Sequence, residues 1–421
     1  MSENELFAGA GTGKIVFPQE LFPIEGFCSV HDDPSARVLV MEKTKRVALV
    51  SLELVMTSAE HMEMVRSIVA EHCGVPKENV WIHVTHAITT PHPPRMPFGS
   101  GEEPSEEQKK KMELYTDSIK NAVTEAAKSA AENFRPAMLR VAECESLVNC
   151  NRDIETQFGW WINLNPEGKS NHTATVLRFD DEQGSSIGML ISFGLKPCAI
   201  DNSQMDENKR LVSSDVPGLA CRIIEEELGA PCLFFMSAAG DQVPKEQTLL
   251  EEVQSDGSVK KIDFGVEKGL EIVNRLGHEM ANDILPSIRS AERIEAGEIA
   301  CGETSIRYPG KARMQMKPRK TVEWQPEGEQ TVTAEVIALG EVAFVAVKPE
   351  VNTVTEEQLH EVSPYKHTLL MSMTNGGMKY MPDALSYERI SWEAQNSPLM
   401  PGAAEAWVKE TGRLLNSLKN K

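Results

Sequence analysis

The chain has 421 residues, with 43 basic against 63 acidic side chains and a formal net charge of −20, and 41% of it is hydrophobic. That balance excludes nucleic acid and anionic membrane as partners, since both need a basic surface. The length allows a large buried core, and no apolar run approaches the roughly 18 residues of a membrane span.

The start, Met1-Ser2-Glu3-Asn4-Glu5, is acidic and has no basic-then-apolar leader. The eight cysteines (28, 73, 144, 150, 198, 221, 232 and 301) are scattered without CxxC pairing. They read as buried free thiols of a reducing compartment, which predicts a cytoplasmic protein.

Along the chain, 37–41 and 47–53 predict strands joined by the charged turn Glu42-Lys43-Thr44-Lys45-Arg46. Residues 58–73 have Met62, Val65, Ile68 and Val69 at helical spacing, and 80–86 is a strand, so 47–86 reads as a βαβ unit. A Pro- and Gly-rich loop follows over 87–104, where Arg95 and Phe98 are candidates to face a substrate. A long helix spans Glu106 to Phe134, two strands lie near 137–149, and an irregular stretch rich in Asn, Trp and Gly runs to about 170.

Residues 173–179 and 187–193 predict a hairpin, followed by a polar loop, a helix at 217–229 and a buried strand at 232–236. A second long helix covers about 265–290, and the basic segment 298–325 reads as strand plus loop. Residues 332–339 and 342–347 form a hairpin around Gly340-Glu341, a strand follows at 368–373, and the last helix covers about 402–418. The mixture predicts an α/β architecture of mixed β-sheets flanked by helices, in a single domain over 1–421.

Several polar residues fall at strand ends, where open α/β sheets place their ligand sites. His86 ends a strand on the face of Ile82 and Val84. It can ligate metal with a loop partner such as His92, or simply be satisfied by backbone. His83 points the other way and reads as packing or support. Asp241 in Ala239-Gly240-Asp241 can bind metal, orient a histidine, or serve only as a turn residue. Glu350 and Tyr380 follow a strand and a glycine loop. Arg152 in Asn151-Arg152-Asp153 can clamp an anion or pair within the fold. Lys196 follows the buried strand 188–194 and is placed at the rim of that sheet.

The order of Ala8-Gly9-Ala10-Gly11-Thr12-Gly13-Lys14-Ile15, Thr85-His86, Asn151-Arg152, Ser214-Asp215-Val216-Pro217-Gly218, Ala239-Gly240-Asp241, Pro349-Glu350 and Lys379-Tyr380 resembles the catalytic domain of the neutral/alkaline ceramidase family over nearly the whole chain. The further C-terminal immunoglobulin-like domain of that family's secreted members has no room here. The resemblance implies a catalytic Zn²⁺, with His86, Glu350 and Tyr380 at ligand positions. The family's second ligand histidine, in a Val-His-Pro context, corresponds to Lys196 in Leu195-Lys196-Pro197. The family's Thr-His-Thr-His run is Thr85-His86-Ala87-Ile88 here, and its serine after Gly-Asp falls at Val243.

These departures set three expectations against one another. The first is a metal-dependent hydrolase of an amide-type bond in a small soluble molecule, with Asp241 or His92 assisting proton transfer and Arg152 and Lys196 holding a carboxylate or oxyanion. The second is an isomerase, epimerase or lyase in which Lys196 and Tyr380 exchange protons. The third is a ligand-binding relative without catalysis. Oligomeric state is not legible.

Overall fold

The computed structural model describes residues 5–94, 104–206 and 208–420, so Arg95 and Phe98 lie outside the described residues. The opening strand, Phe7–Lys14, shows how composition dictates packing. Helix Glu106–Glu132 crosses the face of this strand that carries Gly9, Gly11 and Gly13. A Cβ at these glycines would collide with the carbonyl oxygens of Ala130, Ala126 and Ala122. Only a bare strand lets a helix backbone come so close. The helix start is fixed by a capping box, in which Ser105 Oγ accepts from the Gln108 amide and the Gln108 side chain accepts from the Ser105 amide.

That strand belongs to a five-stranded sheet in the order Val80–Val84, Arg46–Leu52, Ser35–Glu42, Phe7–Lys14, Arg135–Pro136. A second sheet has the order Cys232–Met236, Ser186–Phe193, Thr173–Asp180, Met138–Glu145, Glu292–Ile294. A third has the order Ile299–Lys311, Pro326–Leu339, Val342–Val347, His367–Met371. Ala10, Leu39 and Trp81 from the first sheet, Leu190 and Phe235 from the second, and Phe344 and Leu369 from the third share one buried layer. Alternation along each strand sends the opposite side chains under the helices. Val65 and Ala126 lie over the first sheet, Ile224 and Ile284 over the second, and Trp407 and Leu415 over the third. This is the mixed-sheet α/β architecture read from the sequence, with mixed parallel and antiparallel pairing. No helix among the described residues is long and apolar enough to cross a membrane.

Three differences from the sequence reading have physical causes. The stretch read as irregular to about residue 170 is a hairpin, Asn149–Thr156 with Gly159–Asn165. Its first strand buries Asn149, Asn151, Arg152 and Asp153, so the usual apolar signal of a buried strand is inverted. A further hairpin, Leu249–Val253 with Val259–Asp263, and the helices Thr353–Val362, Ala384–Arg389 and Trp392–Asn396 come from segments whose patterning is weak. The strand read as ending at His86 ends at Val84, and His86 turns into the left-handed region with φ 62°. Backbone bonds from Thr85 N to Leu52 O and from Ala87 N to Leu54 O hold this turn against the neighbouring strand.

Candidate active site

Four chain segments that leave strands of the three sheets converge on one cavity of about 880 Å³. His86 follows strand Val80–Val84, Lys196 follows Ser186–Phe193, and Glu350 follows Val342–Val347. Tyr380 is brought beside Glu350 by a short parallel pairing of Glu350–Val351 with Tyr380–Met381. The Lys196 turn is pinned from behind. The Asp215 carboxylate, at the start of helix Asp215–Leu228, accepts from the amides of Ala199 and Ile200 at 3.1 and 3.2 Å and from Val216 at 2.8 Å. Burial raises the Asp215 carboxyl to about 6 although those backbone bonds oppose it.

Glu350 is 1% exposed and stands between two nitrogen groups. Its Oε1 is 3.0 Å from His86 Nδ1, and its Oε2 is 2.6 Å from the Lys196 ammonium. His86 Nδ1 and Glu350 Oε2 lack an aligned hydrogen-bond partner, so these two close approaches are contacts short of ideal hydrogen-bond geometry. Lys196 Nζ also donates to the Tyr380 hydroxyl at 2.9 Å and lies 4.9 Å from that ring's centre. Burial alone would push the Glu350 carboxyl up, but Lys196 and then His86 hold it down at about 2. Burial and Arg152 push the Lys196 amine down, yet Glu350 and Tyr380 more than offset them and keep it above its ordinary range. Burial, followed by Glu350, raises the Tyr380 hydroxyl. At neutral pH the group is therefore ammonium, carboxylate and neutral phenol.

That charge state decides the fit of a divalent metal. A zinc ion bound by His86, Glu350 and Tyr380 would stand against a fixed ammonium at 2.6 Å from the shared carboxylate, with a protonated phenol as its third ligand. An ammonium has no lone pair to offer. Among the described residues, no group of three or more His, Cys, Asp and Glu side chains is arranged to hold a metal ion. The donor set does not fit zinc as it stands, because the tethered Lys196 charge already lies against the carboxylate a metal would need.

The remaining sequence candidates are placed differently. Arg152 lines the cavity, and its guanidinium is ion-paired with Glu393, with Nε at 2.8 Å and Nη2 at 2.6 Å from Oε1, and lies over the rings of Trp392 and Tyr380. Of its two readings, the ion pair within the fold is the one seen. Asp241 sits beneath the cavity. It accepts from the Thr353 amide and hydroxyl at 3.0 and 3.1 Å and from Asn151 at 3.3 Å, and its backbone carbonyl accepts from the Arg152 amide. Burial carries its carboxyl up to about 7, with Thr353 opposing and Glu393 and Asp383 adding. His92 is not brought to the cavity: it is half-buried, 3.0 Å from Glu25, beside a separate small pocket. His83 is packed, with Nδ1 on the Ser372 carbonyl at 2.8 Å and Nε2 accepting from the Met236 amide at 3.0 Å, and burial lowers it to about 3.

Sequence reasoning missed Trp392, Glu393, Lys311 and the partnering of Asp153. Burial, then Glu393 and Asp241, push the Asp153 carboxyl well up. The adjacency of Arg152 and Asp153 was a visible signal for that cluster. Trp392 and Glu393 sit on a five-residue helix with no periodicity to read.

No protein-family model and no curated protein matches the chain. Solved structures do match it in shape. A ceramidase complexed with C2 is similar with a TM-score of 0.73 at 15% identity, over 99% of this chain and 76% of that one. The neutral ceramidase from Pseudomonas aeruginosa is similar with the same TM-score and identity, over 99% of this chain and 75% of that one. The fold of this chain is therefore that of neutral ceramidase structures across nearly its whole length, at a sequence distance where likeness speaks for architecture alone.

Proposed function

We propose that the chain hydrolyses an amide-type C–N bond of a small molecule bound in this cavity, with the Lys196 ammonium standing where the family resemblance puts a zinc ligand. Glu350 beside Nδ1 favours the tautomer that leaves the lone pair on His86 Nε2. His86 takes a proton from water as the water oxygen attacks the amide carbonyl carbon. The oxyanion that forms accepts hydrogen bonds from Lys196 and Tyr380, both already gathered at the site. As the C–N bond breaks, His86 returns the proton to the leaving nitrogen, so one water is consumed and an acid and an amine are released. The fold likeness to ceramidases, which act on an amide, supports the reaction class. The loose alignment of the His86–Glu350 contact is ordinary for a site without substrate.

The observation that carries this reading is the Glu350 carboxylate held between His86 and Lys196 in the cavity wall, with Tyr380 on the same ammonium. Lysine-based Schiff-base chemistry would need a free amine, and the paired, protonated Lys196 speaks against it. All eight cysteines are unpaired thiols, which supports the cytoplasm as the place of action. The test is a panel of N-acyl amides with products read by mass spectrometry. Turnover should be indifferent to EDTA and fall at least about 100-fold in His86→Gln, the lower range for a lost general base. Absence of turnover on every amide, or activity removed by EDTA and restored by zinc, overturns the proposal.

A further inference from the structure

Lys311 is the odd cation of the cavity. It ends strand Ile299–Lys311, is 5% exposed and lines the cavity wall. Its ammonium donates to the Gln395 carbonyl at 3.0 Å and lies 5.3 Å from the centre of the Trp324 ring. Among the described residues it pairs with no carboxylate, and Glu327, which lines the same cavity, makes no ion pair with it. Its charged neighbour is a like one, Lys379, whose ammonium donates to the Asn396 amide oxygen at 3.0 Å. Arg313, two residues on and exposed, also lines the cavity and among the described residues forms no ion pair with a carboxylate. Burial, and then Lys379, bring the Lys311 amine down to about 8.

A buried ammonium is normally matched by a carboxylate, because desolvation of an unmatched charge is costly. Asp201 and Glu327 line the same cavity, yet among the described residues neither forms an ion pair with Lys311. Arg152 is paired with Glu393 and Lys196 with Glu350, so among the described residues Lys311 is the buried cation of the cavity left without a carboxylate, and the exposed Lys379 and Arg313 add like charge to it. The same cavity is lined by the adaptable apolar side chains of Met56, Met314, Met316, Met373 and Met378.

We infer that Lys311, with Lys379 and Arg313, is a subsite for an anionic group of the ligand, so that the molecule bound is an amphiphilic amide bearing a carboxylate, sulfonate or phosphate. This deepens the amide-hydrolase reading and rests on it for the word amide, but not for the anion.

Calorimetry at pH 7 with N-octanoylglycine, N-octanoyltaurine and the neutral N-octanoylethanolamine tests it by binding alone. The wild-type chain should bind at least one anionic probe about tenfold or more tightly than the neutral one, and preference between glycine and taurine distinguishes carboxylate from sulfonate recognition. Lys311→Met should remove that preference while leaving affinity for N-octanoylethanolamine in place. If Lys311→Met fails to fold, the double variant Lys379→Met/Arg313→Met must narrow the preference instead. Equal binding of charged and neutral probes by the wild-type chain, no binding of any probe, or equal weakening of all three by the variants overturns the subsite. Anion-selective binding with no hydrolysis of any probe leaves the subsite standing and counts against the hydrolase reading.

Discussion

Replacing Lys196 by methionine keeps most of the length of the side chain and removes its charge, leaving Glu350 buried with the His86 imidazole beside it. Two independent routes give the size of the effect. A carboxyl held at about 2 against an ordinary 4.5 contributes roughly 3 kcal/mol to folding at neutral pH. Removing one partner of a buried ion pair costs about 3–5 kcal/mol, since the other charge stays behind without compensation. The sign follows from the lowered carboxyl: its contribution is complete above about 4.5 and fades as pH falls toward about 2. Denaturant unfolding at pH 7 should therefore place Lys196→Met several kcal/mol below the wild type. Lys196→Met combined with Glu350→Gln, which removes both charges, should recover a large part of that loss. A single variant within about 1 kcal/mol of wild type, or a double variant no better than the single, would refute the ion-paired, protonated Lys196 on which the mechanism stands.

Metal content separates the ammonium site from a zinc site directly. The wild-type chain should carry well under one zinc after dialysis, whereas Lys196→His, which restores a second imidazole beside His86 and Glu350, should bind about one; one tightly held zinc in the wild type contradicts the donor-set argument. Asp215→Ala orphans the amides of Ala199, Ile200 and Val216, and should cost about 1–3 kcal/mol while disturbing turnover through the Lys196 turn; unchanged stability would show that the turn is held elsewhere. Gly11→Val should destabilise by more than about 1–3 kcal/mol, because its Cβ would meet the Ala126 carbonyl, a backbone atom that cannot rotate away. Thermal unfolding within a degree of wild type would count against the close strand–helix approach.

The alternating and helical segments were legible because burial and periodicity agree in them. Val47 to Leu52, the helix ending at Cys73, and the hairpin around Gly340 came out near their observed bounds. The segments that escaped are those where function or close packing inverts the pattern. The opening strand carries glycines where apolar residues would mark it, and Asn149–Thr156 buries polar side chains that support the cavity floor. At the site, the sequence named His86, Lys196, Glu350 and Tyr380, which the structure brings to one wall. His92 was misplaced because a loop histidine near a strand end has no periodicity to anchor it, and it pairs with Glu25 instead. Lys311 was invisible for a different reason: what marks it is the absence of a carboxylate partner, and that is a property of the fold.

A tethered ammonium and a bound zinc ion are not equivalent solutions to the same problem. The ammonium carries one positive charge, accepts no lone pair and cannot lower the pKa of a coordinated water. In the proposed reaction water activation would therefore fall to His86, and carbonyl polarisation to the hydrogen bonds of Lys196 and Tyr380, which act strongly only where bulk water is kept out. It also follows that Glu350 cannot be a free base: with Lys196 on one oxygen and His86 beside the other, its work is to fix charges and orient the imidazole. The reacting machinery is thus internally neutralised, as is Arg152 by Glu393. Attraction for an anionic ligand would then come from charge outside that machinery, and Lys311 is where the cavity keeps a buried cation that no carboxylate among the described residues has matched.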